Sequence, residues 1–280
     1  MVRIPLLKKL LVALDGSPHS AAALAHALSL AAAAGAAVTG IHIVDAAAVD
    51  TSFVADLSGS LGFQPFLNLN AELHDALRTL GRTVLADFEQ RAAEARVSAH
   101  AVLAEGFVVS ELLRAARDHD LVFLGAHGTG QKRGKLLGGH ADALLRRLDR
   151  PAWLAPALAA PISRPLAAFD GSEKSRRALV LAAELARLLS VRLDVLTVSA
   201  EPAEISARRA LADDLLHEHE TPHQFRAAPG HPEEAILAAL RDHDLIAIGS
   251  HGHGRIVELF LGSTTERILR RATVPVLCVP

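Results

Sequence analysis

The sequence predicts an α/β protein made of two tandem, doubly wound, five-stranded parallel-sheet domains. Three observations carry this prediction. The chain repeats itself, each copy alternates short apolar runs with longer helical ones, and the short runs are apolar throughout, as strands covered on both faces must be.

The repeat comes first. "LRAARDHDLVFLGAHGTG" at residues 113–130 aligns with "LAALRDHDLIAIGSHGHG" at 237–254, and the same offset of 124 relates Gly106 to Gly230, Gly125 to Gly249 and Pro151 to Pro275. Nearer the front, "LVALDGSPHSAAAL" matches "LAAFDGSEKSRRAL", setting Asp15 against Asp170 at an offset of 155. The offsets differ by 31 residues, which the first copy holds in excess between its second and third strands. Prolines in "APALAAPISRPL", residues 155–166, mark the joint, so the expected domains are 1–156 and 163–280.

Each element of the first copy has its own signal. "KKLLVALD" is a short apolar strand, and "SPHSAAALAHALSLAAAAG" an alanine-rich helix capped by Ser17 with Pro18 in its first position. The strand "AAVTGIHIVD", a helix around 71–95, a strand near 97–103, a helix near 107–117, the strand "LVFLG", a helix near 138–148 and the strand "AWLAP" follow. The second copy keeps this order with shorter connections. The extra segment, "AAVDTSFVADLSGSLGFQPFLNLNAE", carries Phe53, Phe63 and Phe66 among Gly, Ser and Pro and is expected to be a surface loop folded over its own domain, with a docking patch as the alternative.

Composition narrows the function. A chain of 280 residues that is 50% hydrophobic can bury two ordinary cores. A net charge of -2, with no long Lys/Arg run, argues against nucleic acid. From Gly16 to Val44 there is no Asp, Glu, Lys or Arg, but the run is largely alanine and its counterpart carries Arg176, Arg177, Glu184, Arg187 and Arg192, so it is a buried helix and strand and no membrane span. The apolar run at the N-terminus ends at Asp15, too soon for a signal peptide, and the single Cys278 suits a reducing compartment, so a soluble cytoplasmic protein is expected.

Chemistry gathers near the C-terminus, in "IGSHGHGRIVELFLGSTTERILRRATVPVLCVP". Ligands of such sheets sit beyond the carboxyl ends of the strands, near the point where strand order switches direction. Gly249 ends a strand there, Gly252 and Gly254 are free to take positive φ, and Gly262, Ser263, Thr264 and Thr265 open a helix whose first N–H groups face outward. An anion fits against those groups, with Ser263 and Thr264 as added hydroxyl donors, and a phosphate is the natural guest.

Gly249-x2-Gly252-x9-Gly262-Ser263, together with "AAFDGS" and the closing "VPVLCVP", resembles the universal stress protein family over nearly the whole chain, as two tandem domains. The resemblance implies a Rossmann-like fold of the adenine nucleotide alpha hydrolase type, and ATP (or ADP or AMP), with or without Mg²⁺, as ligand. It implies phosphate contacts at Gly249, Gly252, Gly262, Ser263 and Thr264, a contact of Asp170 with the adenosine moiety, and Val198 packed on adenine, with Ala168 and Phe169 completing the nucleoside wall. It also implies a pseudo-twofold intramolecular dimer formed through the last strands, "AWLAP" and "VLCVP", whose apolar edges would otherwise seek another chain. A homo-oligomer and protein partners of unknown identity belong to the same expectation.

The first copy keeps Gly125, Gly128 and Gly138 at the family spacing, and Asp15 and Ile43 match the nucleoside contacts, but Gly139, His140 and Ala141 replace Ser263, Thr264 and Thr265. Backbone donors survive and hydroxyls are lost, so tighter binding is expected in the second copy. Lys132, Arg133 and Lys135 add positive charge nearby.

Enzymatic signatures are thin. There is no G-x4-G-K-[ST], G-x-S-x-G or H-E-x-x-H pattern. His127, His251 and His253 have no cysteine or carboxylate at ligand spacing, so no metal is assigned, and His119 and His243 in matching "RDHDL" turns are expected to be structural. Candidate catalytic groups are His251, His253 and Glu266, none with an evident orienting partner. A nucleotide-binding stress-response regulator is preferred to the alternative, a slow ATPase or phosphate- or adenylyl-transfer enzyme.

Overall fold

The computed structural model describes residues 7–45, 66–128, 137–250 and 261–280, and side chains from residue 72 onward in the second of these ranges. The first half runs β1 (Lys9–Ala13), α1 (Pro18–Ala34), β2 (Ala37–Asp45), α2 (Phe66–Glu94), β3 (Ala99–Gly106), α3 (Val108–Ala116), β4 (Leu121–Gly125), α4 (Gly139–Leu145) and β5 (Ala152–Ala155). The second half repeats it as β6 (Pro165–Ala168), α5 (Glu173–Leu188), β7 (Leu193–Val198), α6 (Pro202–His217), β8 (His223–Ala228), α7 (Pro232–Ala239), β9 (Leu245–Gly249), α8 (Ser263–Arg271) and β10 (Val276–Val279). Among the described residues, no helix is long and apolar enough to cross a membrane.

All ten strands join one sheet in the order β3-β2-β1-β4-β5-β10-β9-β6-β7-β8. Pairing is parallel inside each half, as strands joined through helices allow, and each half switches direction beside its first strand, between β1 and β4 and between β6 and β9. The halves meet where β5 and β10 run antiparallel, with Trp153 opposite Leu277 and with Leu154 and Ala152 opposite Val276 and Cys278. Positions 153 and 277 correspond in the repeat, so a pseudo-twofold axis passes through that pair. The expected intramolecular dimer is thus present, and the last strands hide each other's edges.

Packing follows the apolar pattern. One core lies under α1 and α5 and includes Leu10, Val12, Leu24, Phe88, Phe123, Trp153, Phe169, Leu179 and Leu277. The other lies under α3, α4, α7 and α8 and includes Leu11, Val122, Leu144, Leu154, Ile246, Ile268 and Cys278. Each core runs through both halves, so separating them would expose apolar surface on both faces of the sheet.

One feature departs from the sequence expectations. Helix α2 begins at Phe66, so the end of the extra segment is helical where a loop was expected; after Pro65 no further proline or glycine interrupts the run until Gly81. The insertion therefore lengthens a helix as well as a connection, since α2 has 29 residues and its counterpart α6 has 16. Phe53 and Phe63 lie outside the described residues.

Candidate functional site

The two halves build their carboxyl edges in the same way. After β1 and β6 the sequence Asp-Gly-Ser makes a turn: Asp15 Oδ1 accepts the Ser17 N–H at 2.9 Å, and Asp170 Oδ1 accepts that of Ser172 at 3.0 Å. The intervening Gly16 and Gly171 hold φ at +77° and +82°, a region that excludes most side chains. Ser17 and Ser172 then cap α1 and α5 by accepting the N–H groups of Ser20 and Ser175. Much of this motif is thus a machine for starting a helix, and it leaves each aspartate at the switch point with one oxygen committed to the turn.

Gly125 and Gly249 end β4 and β9 beneath the first turns of those helices. A Cβ on Gly125 would stand 2.8 Å from His19 Cβ and 2.9 Å from Ser20 N, and one on Gly249 would stand 3.0 Å from Lys174 Cβ. Close approach of helix to strand therefore requires glycine here whether or not a ligand is bound. Beyond it the chain is held by a repeated pair of bonds. Ala126 N–H donates to Ala155 O and Gly138 N–H to Ala126 O, while Ser250 N–H donates to Val279 O and Gly262 N–H to Ser250 O.

In the first half these restraints enclose a cavity of about 540 Å³, within the range of small-molecule sites. Asp15, Ile43, Gly125, Gly128, Gly138 and Gly139 all line it, drawn from three separate parts of the chain. Its apolar wall includes Ala13, Leu77, Leu80 and Leu144, and its polar rim includes Asp45, His127 and His140. A Cβ on Gly128 would stand 2.9 Å from Asp15 Oδ2, which shows how near the loop comes to the aspartate.

In the second half Ala168, Asp170, Val198, Gly249, Gly262, Ser263 and Thr264 occupy the equivalent strand ends and helix start. Gly252, His251 and His253 lie outside the described residues. Gly262 precedes α8 with φ −58°, an ordinary value, and the first helical bond is made by Glu266 N–H to Gly262 O at 2.9 Å. The amides of Ser263, Thr264 and Thr265 therefore come before that ladder, at the positive end of the helix dipole.

Several residues take places the sequence did not foretell. Phe169 turns its ring into the core, where it is 2% exposed, and not toward a nucleoside wall; strand alternation puts Ala168 and Val198 on the opposite face from it. Thr265 spends its hydroxyl on Gly249 O at 2.9 Å, a bond that Ala141 cannot make in the first half. Glu266 pairs with Arg270 and lies 3.9 Å from Arg146 across the pseudo-dyad, which removes it from the role of a free base. Burial pushes the Cys278 thiol up to about 12, leaving it unreactive.

Other neighbours of these strand ends were missed altogether. His42 Nδ1 donates to Leu14 O at 2.7 Å, and Thr197 in its place donates to Phe169 O at 2.7 Å, so each ties the strand beside it to the residue preceding the aspartate. Arg208 donates to Val198 O, at the carboxyl end of β7, at 3.1 Å and pairs with Glu204. Its spacing from Glu204 could have suggested a helix pair, but nothing local points to Val198. His119 and His243 are structural: their Nδ1 atoms donate to Ala115 O and Ala239 O, and their Nε2 atoms lie 2.9 Å from Thr39 Oγ1 and 3.1 Å from Asp194 Oδ2, at the amino edge of the sheet.

Comparison with known proteins agrees with this architecture. The model of the universal stress protein family matches twice, at residues 7–156 and 162–280. The universal stress protein Slr1230 of Synechocystis is 28% identical over 285 residues, spanning 97% of this chain and 99% of its own. Rv2005c of Mycobacterium tuberculosis, another universal stress protein, is 27% identical over 223 residues, covering 70% of this chain and 76% of its own. A universal stress protein structure from Archaeoglobus fulgidus superposes with a TM-score of 0.76 at 20% identity, covering 97% of each chain, which shows the common fold. Two matches of the family model, in halves that share one strand order, establish that the chain belongs to the universal stress protein family.

Proposed function

We propose that the protein binds an adenine nucleotide, ATP foremost, at the carboxyl edges of its two half-sheets, and acts as a stress-response regulator whose nucleotide state alters its contacts with other proteins. One observation carries the reading: Asp15, Ile43 and four glycines from the far side of the repeat border a single cavity at the switch point. In this reading the apolar wall takes the base, Asp15 or Asp170 takes a ribose hydroxyl, and the amides that open α8, with Ser263 and Thr264, take phosphate oxygens. Among the described residues the one candidate base, Glu266, is engaged with Arg270, which favours a binding role over turnover.

The test is direct. Protein purified without added nucleotide is denatured, and the released small molecules are identified by mass spectrometry; stripped protein is then titrated with ATP, ADP and AMP. Recovery of an adenine nucleotide, or saturable binding on titration, is the expected result. Absence of both would make the chain a scaffold with no nucleotide site. Rapid steady-state hydrolysis of ATP would replace the regulator with an enzyme.

A further inference from the structure

The two halves finish their second strands with opposite chemistry. In the second half Ser199, just past β7, donates its hydroxyl to Glu204 of α6, and Glu204 pairs with Arg208, which donates to Val198 O at 3.1 Å and to Thr197 Oγ1 at 3.3 Å. At the repeat offsets of 155 and 124, the matching residues of the first half are Val44, Leu80 and Val84. The match is spatial as well, since a Cβ on Gly16 would stand 3.3 Å from Val84 Cγ2 and one on Gly171 would stand 3.8 Å from Arg208 Cγ. A bonded polar network in one half is therefore replaced by apolar side chains in the other.

The apolar version opens onto the first cavity. Val44 and Leu80 both line it, joined by Leu77 from the preceding turn of α2 and by Val108. Helix α2 is held firmly enough to present them. A Cβ on Gly81 would stand 2.6 Å from His42 Cδ2, so the helix rests directly on β2, and His74 and Arg78 pair with Glu105 at the end of β3. Yet Leu80 remains 53% exposed. Leu73, one turn beyond Leu77, and Phe107, next to Val108, are exposed too, whereas among the described residues no large apolar side chain of the second domain is. Apolar surface fixed beside a cavity and left unused by the core is what an apolar part of a ligand covers.

We propose that Val44, Leu77 and Leu80 make the first site selective for a nucleotide that carries an apolar group on its base, whereas the second site gains nothing from that group. The inference rests on the adenine-nucleotide reading, in which the apolar wall takes the base, and adds to it a difference in ligand between the halves. An apolar group gains by covering leucine that water now touches. A polar group in its place would give up bonds to water and find no donor or acceptor on the side chains of Val44, Leu77 and Leu80. In the second half Ser199, Glu204 and Arg208 bond to one another, and an apolar group laid on them would only remove their solvent.

Calorimetric titration of the full chain with ATP, and separately with ATP benzylated on the adenine amine, tests this. The readout is the ratio of the two affinities at each site. The first site is expected to prefer the benzylated nucleotide roughly tenfold, the gain from covering about half a leucine side chain, and the second to show no such preference. Leu80→Glu installs the second-half residue at an exposed position and should abolish the preference at the first site, while Leu80→Met should keep it. Equal ratios at both sites, or a preference that survives Leu80→Glu, would overturn the selectivity and leave nucleotide binding standing. Sedimentation of the unaltered chain and of Leu80→Glu gives a second check: self-association that the substitution abolishes would assign the exposed leucines to a second copy of the chain and overturn the selectivity as well. Failure of both nucleotides to bind either site would overturn this inference together with the proposed function.

Discussion

His26 and Trp153 meet ring to ring in the seam between the two halves, with centroids 5.3 Å apart and planes inclined by 45°. Both are buried, and among the described residues neither His26 Nε2 nor Trp153 Nε1 has a hydrogen-bond partner. Their counterparts in the second half are Leu181 and Leu277, so one half brings nitrogen to the seam where the other brings only carbon.

This pair makes the fold sensitive to acid. Burial pushes the His26 pKa down to about 4, against the weaker pull of Asp244. The unfolded residue takes a proton below about pH 6.5, whereas the folded one refuses it until about pH 4. The contribution of His26 to stability is therefore whole above the unfolded value, falls between the two, and levels off below the folded value, a loss of roughly 3 kcal/mol. His26→Leu should raise stability at neutral pH by about 1 kcal/mol and flatten the acid limb. Urea unfolding of both proteins at about pH 7 and about pH 4.5 measures this; equal acid losses in the two would assign the effect to other groups.

The glycines of the first site should divide by the room around them. Gly125→Ala would drive a Cβ into the backbone of α1 and should cost about 1–3 kcal/mol even without ligand. Gly139→Ala has nothing among the described residues within 4 Å of its Cβ and stands at the start of α4, so it should be neutral or stabilising by up to about 1 kcal/mol. Thermal melts of the stripped protein separate them. A harmless Gly125→Ala would show that this glycine serves the ligand alone.

Nucleotide should fill the second half first. Ser263→Ala removes a hydroxyl donor beside the α8 amides and is expected to weaken the tighter site roughly tenfold to a hundredfold. Gly138→Val, whose Cβ would stand 3.3 Å from Ala126 O, should disturb the first site and leave the tighter one nearly unchanged. Calorimetry reads both. Two equal sites, or loss of the tighter one in Gly138→Val, would place the stronger binding in the first half.

Asp194 offers a test of a buried charge far from either site. It is 4% exposed, yet lies 2.9 Å from Arg226, 3.1 Å from Arg192 and 3.1 Å from His243. Asp194→Ala should cost about 3–5 kcal/mol by stripping these groups of their partner. The first half solves the same position with Thr39, whose hydroxyl meets His119, so Asp194→Thr should cost much less. Equal losses on urea unfolding would mean that the carboxylate itself, and not a partner for His243, is what the position needs.

Much of this molecule is legible in the chain because it is written in local spacing. Unbroken apolar runs, a serine cap followed by proline, and an offset that holds across "RDHDL" and the glycine loops specify strands, helices and two copies, since each depends only on periodicity and on which residues tolerate a turn. The same spacing brings Asp15, Ile43 and the glycines to one edge, because parallel strands deliver all their carboxyl ends to one side of the sheet.

What remained hidden depends on contacts between residues far apart in sequence. Gly249 shows its packing role only once Lys174 is seen against it, Phe169 looks like part of a wall until the pleat turns it inward, and the bond of the Thr265 hydroxyl to Gly249 O has no local signal. Arg208 over Val198 and Glu266 beside Arg146 belong to the same group. By itself the sequence determined the order of the elements and the sheet edge on which the candidate site lies. Only the tertiary structure decided which atoms at that edge stay open to a ligand, because that depends on which donors and acceptors the packing has already used.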